Sequence, residues 1–123
     1  MNDADSIRQI MQDKRLASLG DAYVNFVFSL ALTKIKGNPA GVKVSDRILA
    51  DAFKLAELRN FLGTRINRKD LANAAEALLF EVYQRGLISL DESVQLIVQN
   101  GEGPAYGLPN LLRVAIERLA DRD

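Results

Sequence analysis

Apolar residues in this chain recur at three- and four-residue spacing from end to end and nowhere alternate over a useful length, so helices rather than strands have to supply the core. Ile7, Ile10 and Met11 carry the pattern in a first short helix over Asp5–Gln12. A second helix, over Arg15–Lys36, is apolar on most sides and stops at Gly37, where a left-handed residue can close it. The turn Gly37-Asn38-Pro39-Ala40-Gly41 leads to a third helix capped by Ser45 and closed by Gly63, with Ile48, Leu49, Ala52, Phe53, Leu55, Ala56 and Leu58 on one wide face. Thr64 to Lys69 reads as a loop. A fourth helix spans Asp70–Arg85 and stops at Gly86, and Ser89 with Glu92 forms a capping box for a fifth that ends at Asn100-Gly101. Pro109 opens a sixth that runs to Ala120. The expected class is all-α, with about six helices in a single domain over residues 1–123.

A chain of 123 residues without one Cys or His has no disulfide, thiol nucleophile or imidazole base, and lacks the side chains of the usual zinc sites. Its chemistry is confined to carboxylates, hydroxyls, amides and cations. Tyr23 to Leu32 is nearly all apolar but is interrupted by Asn25 and Ser29 and flanked by Asp21 and Lys34, which reads as a buried core helix too short to span a bilayer. Met1 to Ser6 is polar and acidic where a secretory leader is basic and then apolar, so the expected location is the cytoplasm, with no membrane partner.

Formal net charge is zero, so the molecule as a whole has no general attraction for nucleic acid. The charge is unevenly spread, however. Between Lys34 and Lys69 nine cations face three acids, 9 − 3 = +6, and the remainder sums to −6. A run of this kind is a solvated face or a phosphate-binding side.

Two acids do not fit the amphipathic pattern. Asp21 lies within a helix apolar on most sides and is expected to be largely buried, with Asn25 one turn later on the same face. Glu76 sits among Ala72, Ala74, Ala75, Ala77 and Leu78, with Asn73 and Asp70 three and six residues before it. Small residues at Ala17, Gly20 and Ala22 on one helix, and the alanines on the other, let the two backbones approach, so that Asp21 and Glu76 can face each other. A buried carboxylate needs a counter-charge. An arginine such as Arg15 or Arg85, or a helix end to cap, would give each acid a purely structural role; a hard cation, Mg²⁺ or Mn²⁺, would make the pair a metal site.

The same residues carry a likeness. Asp13-Lys14-Arg15-Leu16-Ala17-Ser18-Leu19-Gly20-Asp21-Ala22 resembles the ribonuclease III signature N-E-R-L-E-F-L-G-D-A, agreeing at Arg15, Leu16, Leu19, Gly20, Asp21 and Ala22. Ala72 to Tyr83 resembles that family's A-D-A-F-E-A-L-I-G-A-I-Y, agreeing at Ala72, Ala74, Glu76, Ala77, Leu78 and Tyr83. The likeness covers roughly Asp13 to Arg85. It departs at Lys14 and Ala17, which replace two glutamates, and at Asn73, which replaces an aspartate, a reduction that resembles the compact Mini ribonuclease III type without a double-stranded-RNA-binding domain. Ala50-Asp51-Ala52-Phe53-Lys54 imitates the second block but has a lysine where the glutamate belongs.

What the resemblance implies is a metal-dependent endoribonuclease for double-stranded or structured RNA, acting as a homodimer in which the Asp21 helices pack near the two-fold axis. It implies Asp21 and Glu76 as the catalytic metal ligands, with Asn73 as an added ligand, and Mg²⁺ or Mn²⁺ as the ion. Arg65, Arg68 and Lys69 are the cations expected on RNA phosphates. The missing acids leave open a second reading, an inactive ribonuclease III-like RNA-binding or ribonucleoprotein scaffold dimer.

Overall fold

The computed structural model describes residues 3–99 and 104–121. Among them the elements are six α-helices and one 3-10 turn: α1 (Asp3–Met11), α2 (Lys14–Lys36), α3 (Asp46–Leu55), the turn Arg59–Phe61, α4 (Arg68–Gln84), α5 (Leu90–Val98) and α6 (Pro104–Asp121). The described residues contain no strand, as the periodicity predicts.

Local signals set most of the ends. The Asp13 carboxylate accepts from the backbone N–H groups of Arg15 and Leu16 and so starts α2 only two residues after α1 ends. Gly37 closes α2 at φ 81, donating its N–H to the Thr33 carbonyl. Ser45 caps α3 through the Ile48 N–H. Asn67 and Asp70 make a reciprocal capping box on α4. Ser89 accepts from the Glu92 N–H at the start of α5, while the Glu92 carboxylate is taken by Arg118 of α6, Oε1 lying 2.6 Å from the guanidinium.

Three expected boundaries are corrected. Helix α3 stops at Leu55 rather than at Gly63, because Glu57 turns left-handed at φ 63 and the Leu58 N–H returns to the Phe53 carbonyl. Helix α4 begins at Arg68, so Arg68 and Lys69 belong to its first turn and not to a loop. Helix α5 gives way at Val98 to the cap Gln99; the expected stop at Asn100-Gly101 lies outside the described residues. Helix α6 begins at Pro104, which takes the first-turn position, and Pro109 lies inside it.

Helix α4 is the centre of the molecule. Ten of its residues are buried, from Leu71 to Val82, and it packs chiefly on α2 and α3 and also on α1 and α6. A helix apolar all round belongs inside, and its alanines allow neighbours close on every side. Helix α2 has 23 residues, long and apolar enough by length and composition alone to cross a bilayer, which corrects the expectation that it is too short. Here Ala17, Gly20, Tyr23, Val24, Val27, Phe28 and Ala31 turn into the protein core, and the Tyr23 hydroxyl lies 2.9 Å from Ser93 Oγ of α5. The opposite side of α2 leaves Leu19 and Phe26 exposed, at 52% and 53%.

Candidate functional site

A cleft of about 740 Å³ opens where α2, α4 and the segment leading into α3 meet. Helix α2 contributes Lys14, Ala17, Ser18 and Asp21, which at spacings of three, four and seven form one stripe. Helix α4 contributes Lys69, Asp70, Asn73 and Glu76 in the same way. Lys43, Val44, Ser45 and Asp46 form the third wall. All three positions at which the chain departs from the acidic signature, Lys14, Ala17 and Asn73, thus line the cleft that holds Asp21 and Glu76.

What lets the two acids meet is Gly20. Its α-carbon lies so close to α4 that an added β-carbon would overlap the Glu76 backbone carbonyl. Glu76 is 4% exposed. Asp21 is half-buried: the stripe that carries it faces the cleft, and the core face of α2 lies to one side of it.

Burial pushes the Glu76 carboxyl up to about 8 from its ordinary 4.5, and hydrogen bonding to Asp21 and its negative charge add to the rise, as does the negative charge of Asp46; Lys69 opposes it weakly. Among the described residues no arginine relieves the pair. Arg85 is bound to Glu81 at 2.7 Å, and no ion pair among those residues involves Asp21, Glu76 or Arg15. The structural ion-pair alternative is therefore corrected: the buried carboxylate is left with a second carboxylate as its neighbour.

The third wall is fixed by a polar ladder on α2. Thr33 Oγ1 accepts from the Ala40 N–H at 3.0 Å and donates to the Ala40 carbonyl at 3.3 Å; Ser29 Oγ accepts from the Val42 N–H at 2.9 Å and donates to the Val42 carbonyl at 3.3 Å. Asn25 Oδ1 accepts from the Val44 N–H at 2.7 Å, and its amide nitrogen donates to Asp21 Oδ1 at 3.4 Å. The rungs repeat because two residues of extended chain advance about 6.6 Å while four residues of helix advance about 6 Å. Exposure alternates along residues 40–46 accordingly, with Val44 buried and Lys43 exposed. Asn25 is thus a joint between an acid of the cleft and the backbone of its third wall.

The predicted RNA-contacting cations are divided by the structure. Lys69 lines the cleft and donates to Asp46 at 3.3 Å, while Arg65 and Arg68 are exposed but are not among the cleft-lining residues. Arg65 occupies a left-handed backbone position, φ 61, just ahead of α4. Lys43 and Asp46 belong to the cleft although nothing in their own sequence neighbourhood marks them. The signal that finds them is the polar residue every fourth position, Asp21, Asn25, Ser29 and Thr33, in an otherwise apolar helix.

A hard cation fits what the cleft offers. Asp21 and Glu76 present oxygen donors without a basic partner, Asn73 adds an amide on the same wall, and Mg²⁺ characteristically takes one or two carboxylates and keeps its remaining waters. Among the described residues no group of three or more acids converges as a ready-made cage. The family model described as Ribonuclease III matches residues 14–106, which include both walls contributed by α2 and α4. No curated protein sequence matches the chain.

Proposed function

Because this chain belongs to the ribonuclease III family, we propose that it is a divalent-metal-dependent endoribonuclease that hydrolyses phosphodiester bonds in double-stranded or structured RNA. The observation that carries the reading is the juxtaposition of the buried Glu76 and the half-buried Asp21 in an open cleft, without a basic partner for either among the described residues. Folding two like charges together without compensation is costly, and a site that collects a cation is the economical explanation.

Asp21 and Glu76 would hold the Mg²⁺ or Mn²⁺, with Asn73 at its side. The ion would supply activation of water and neutralisation of phosphate charge, so that hydrolysis needs neither His nor Cys, which the chain lacks. Gly20 sets the distance between the helices, Asn25 holds the Asp21 carboxylate against the third wall, and Lys69 holds Asp46 at the rim. Arg65 and Arg68 would lie along the RNA backbone outside the cleft. Recognition would be led by shape, since proteins read A-form RNA largely through its minor groove, 2′-hydroxyls and phosphates.

The active form would be a homodimer built on α2. Leu19, Ala22 and Phe26 follow one another at spacings of three and four along its exposed side, and the exposed Tyr83 stands beside it, its ring 4.7 Å from that of Tyr23.

Cleavage of a long duplex RNA with and without Mn²⁺, with Asp21→Asn as control, tests the reading. Lys14, Ala17 and Asn73 in the cleft favour a second reading, an RNA-binding scaffold dimer without catalysis. Tight duplex binding with no metal-dependent cleavage by the unmodified chain would establish that reading in its place.

A further inference from the structure

The three lysines of the cleft are not equivalent. Lys69 is engaged by Asp46, 3.3 Å away. Lys14 and Lys43 line the same cleft, are exposed, and enter no ion pair or side-chain hydrogen bond among the described residues. They stand on different walls. Lys14 precedes Asp21 by seven residues on α2, two helical turns, so it lies on the face that carries Asp21. Lys43 lies between the Val42 and Val44 rungs of the ladder, exposed and on the third wall of the cleft.

Neither lysine has a structural reason for its charge. Helix α2 has no acidic residue in its first turn, and an ammonium at that position opposes the helix dipole. An RNA strand entering this cleft, by contrast, brings anionic phosphate toward two carboxylates, and cations already in place on two walls offset that repulsion.

We propose that Lys14 and Lys43 clamp, from two walls of the cleft, the phosphodiester group of the RNA that lies over Asp21 and Glu76. The clamp rests on the nuclease reading above and deepens it by naming the residues that position the substrate's phosphate. They are positioning residues and hold no ion themselves.

Binding of a labelled duplex RNA to the full chain carrying Asp21→Asn, measured in chelator over a salt series, tests the clamp without cleavage. Adding Lys14→Met or Lys43→Met is expected to weaken binding, and the two together to lower the slope of log Kd against log salt by about 1, because neutralising one phosphate releases about one condensed counterion. Lys→Arg at either position is expected to restore the slope. Melting temperature separates this from a structural role: Lys14→Met should melt no lower than its parent, whereas a structural lysine predicts a lower melting point and an unchanged slope. An unchanged slope in the double variant overturns the clamp and, where the unmodified chain still cleaves that duplex with Mn²⁺, leaves the nuclease reading standing. Absence of both binding and cleavage in the unmodified chain overturns the two together.

Discussion

A β-carbon on Gly20 would stand inside the backbone carbonyl of Glu76. The residue before one acid of the cleft is therefore the contact that brings the other acid within reach, and the geometry of the site depends on a hydrogen atom in place of a methyl group. Because the obstructing atoms belong to the α4 backbone, no rotamer change can make room.

Gly20→Ala should push α2 and α4 apart, at a cost of about 1 to 3 kcal/mol, the usual range for overpacking. Urea denaturation measures the loss. A stability equal to the parent's would mean that the helices are not held at this contact.

Asp21→Asn and Glu76→Gln should each abolish Mn²⁺-dependent cleavage of duplex RNA while the far-ultraviolet circular dichroism stays that of a helical protein, since each removes a ligand from a polar cleft and not from the apolar packing. Cleavage at the parent's rate by either variant rules the assigned site out.

The Glu76 carboxyl, raised to about 8 in the fold from 4.5, gives the metal-free protein a directional pH dependence. The native state holds this proton more tightly than the unfolded chain, so the contribution is complete below about pH 4.5 and is lost as pH rises through about 8. With about 1.36 kcal/mol for each pH interval of one between those two values, the loss amounts to a few kcal/mol at most. In chelator the melting temperature should therefore fall between these limits, and Glu76→Gln should flatten the fall and melt above the parent at about pH 8.5, beyond the point where the parent's carboxyl has lost its proton. Added Mn²⁺ should raise the parent's melting point more than the variant's, by roughly 2.7 kcal/mol of stabilisation at one hundred times the dissociation constant. Parallel pH profiles for the two proteins would contradict the assignment.

Phe26→Glu should convert the proposed dimer of twice 13.6 kDa into a monomer, because Phe26 is 53% exposed on the apolar side of α2 and a charge there would be repelled by its own symmetry mate. Sedimentation equilibrium decides it, and a parent chain that sediments as a monomer at micromolar concentration removes the dimer from the proposal.

The helices are legible in the sequence because their signals are local: Gly37 after an apolar run, Ser45 and Ser89 ahead of one, and apolar spacing between. Boundaries differ where the cause is not local. Glu57 adopts a left-handed backbone that no Gly or Asn announces, so α3 ends earlier than its apolar face suggests, even though Leu58 stays in the core. Pro109 has the residue type of a helix opener, but Pro104 fills that role. For the cleft, spacing along each helix is enough to align Asp21 with Lys14 and Glu76 with Asn73. That Asp21 lines an opening is not legible, because a helix apolar on most sides gives no hint of which narrow stripe meets a cleft. Lys43 and Asp46 stay hidden because their positions follow from hydrogen bonds between segments, and composition alone carries no trace of those.

The rungs at Thr33, Ser29 and Asn25 make the cleft sensitive to arithmetic parity. They engage residues 40, 42 and 44, so the chain between Gly37 and Ala40 acts as a counter. One residue more or fewer there would offer odd positions to the same three side chains, turning Lys43 inward and Val44 out into the opening, whereas a change of two would preserve the sidedness and only slide the wall along α2 by about one helical turn. Length variation in that turn is thus quantised: even steps keep the wall's chemistry and shift its reach, and odd steps exchange an ammonium for an isopropyl group at the mouth of the cleft.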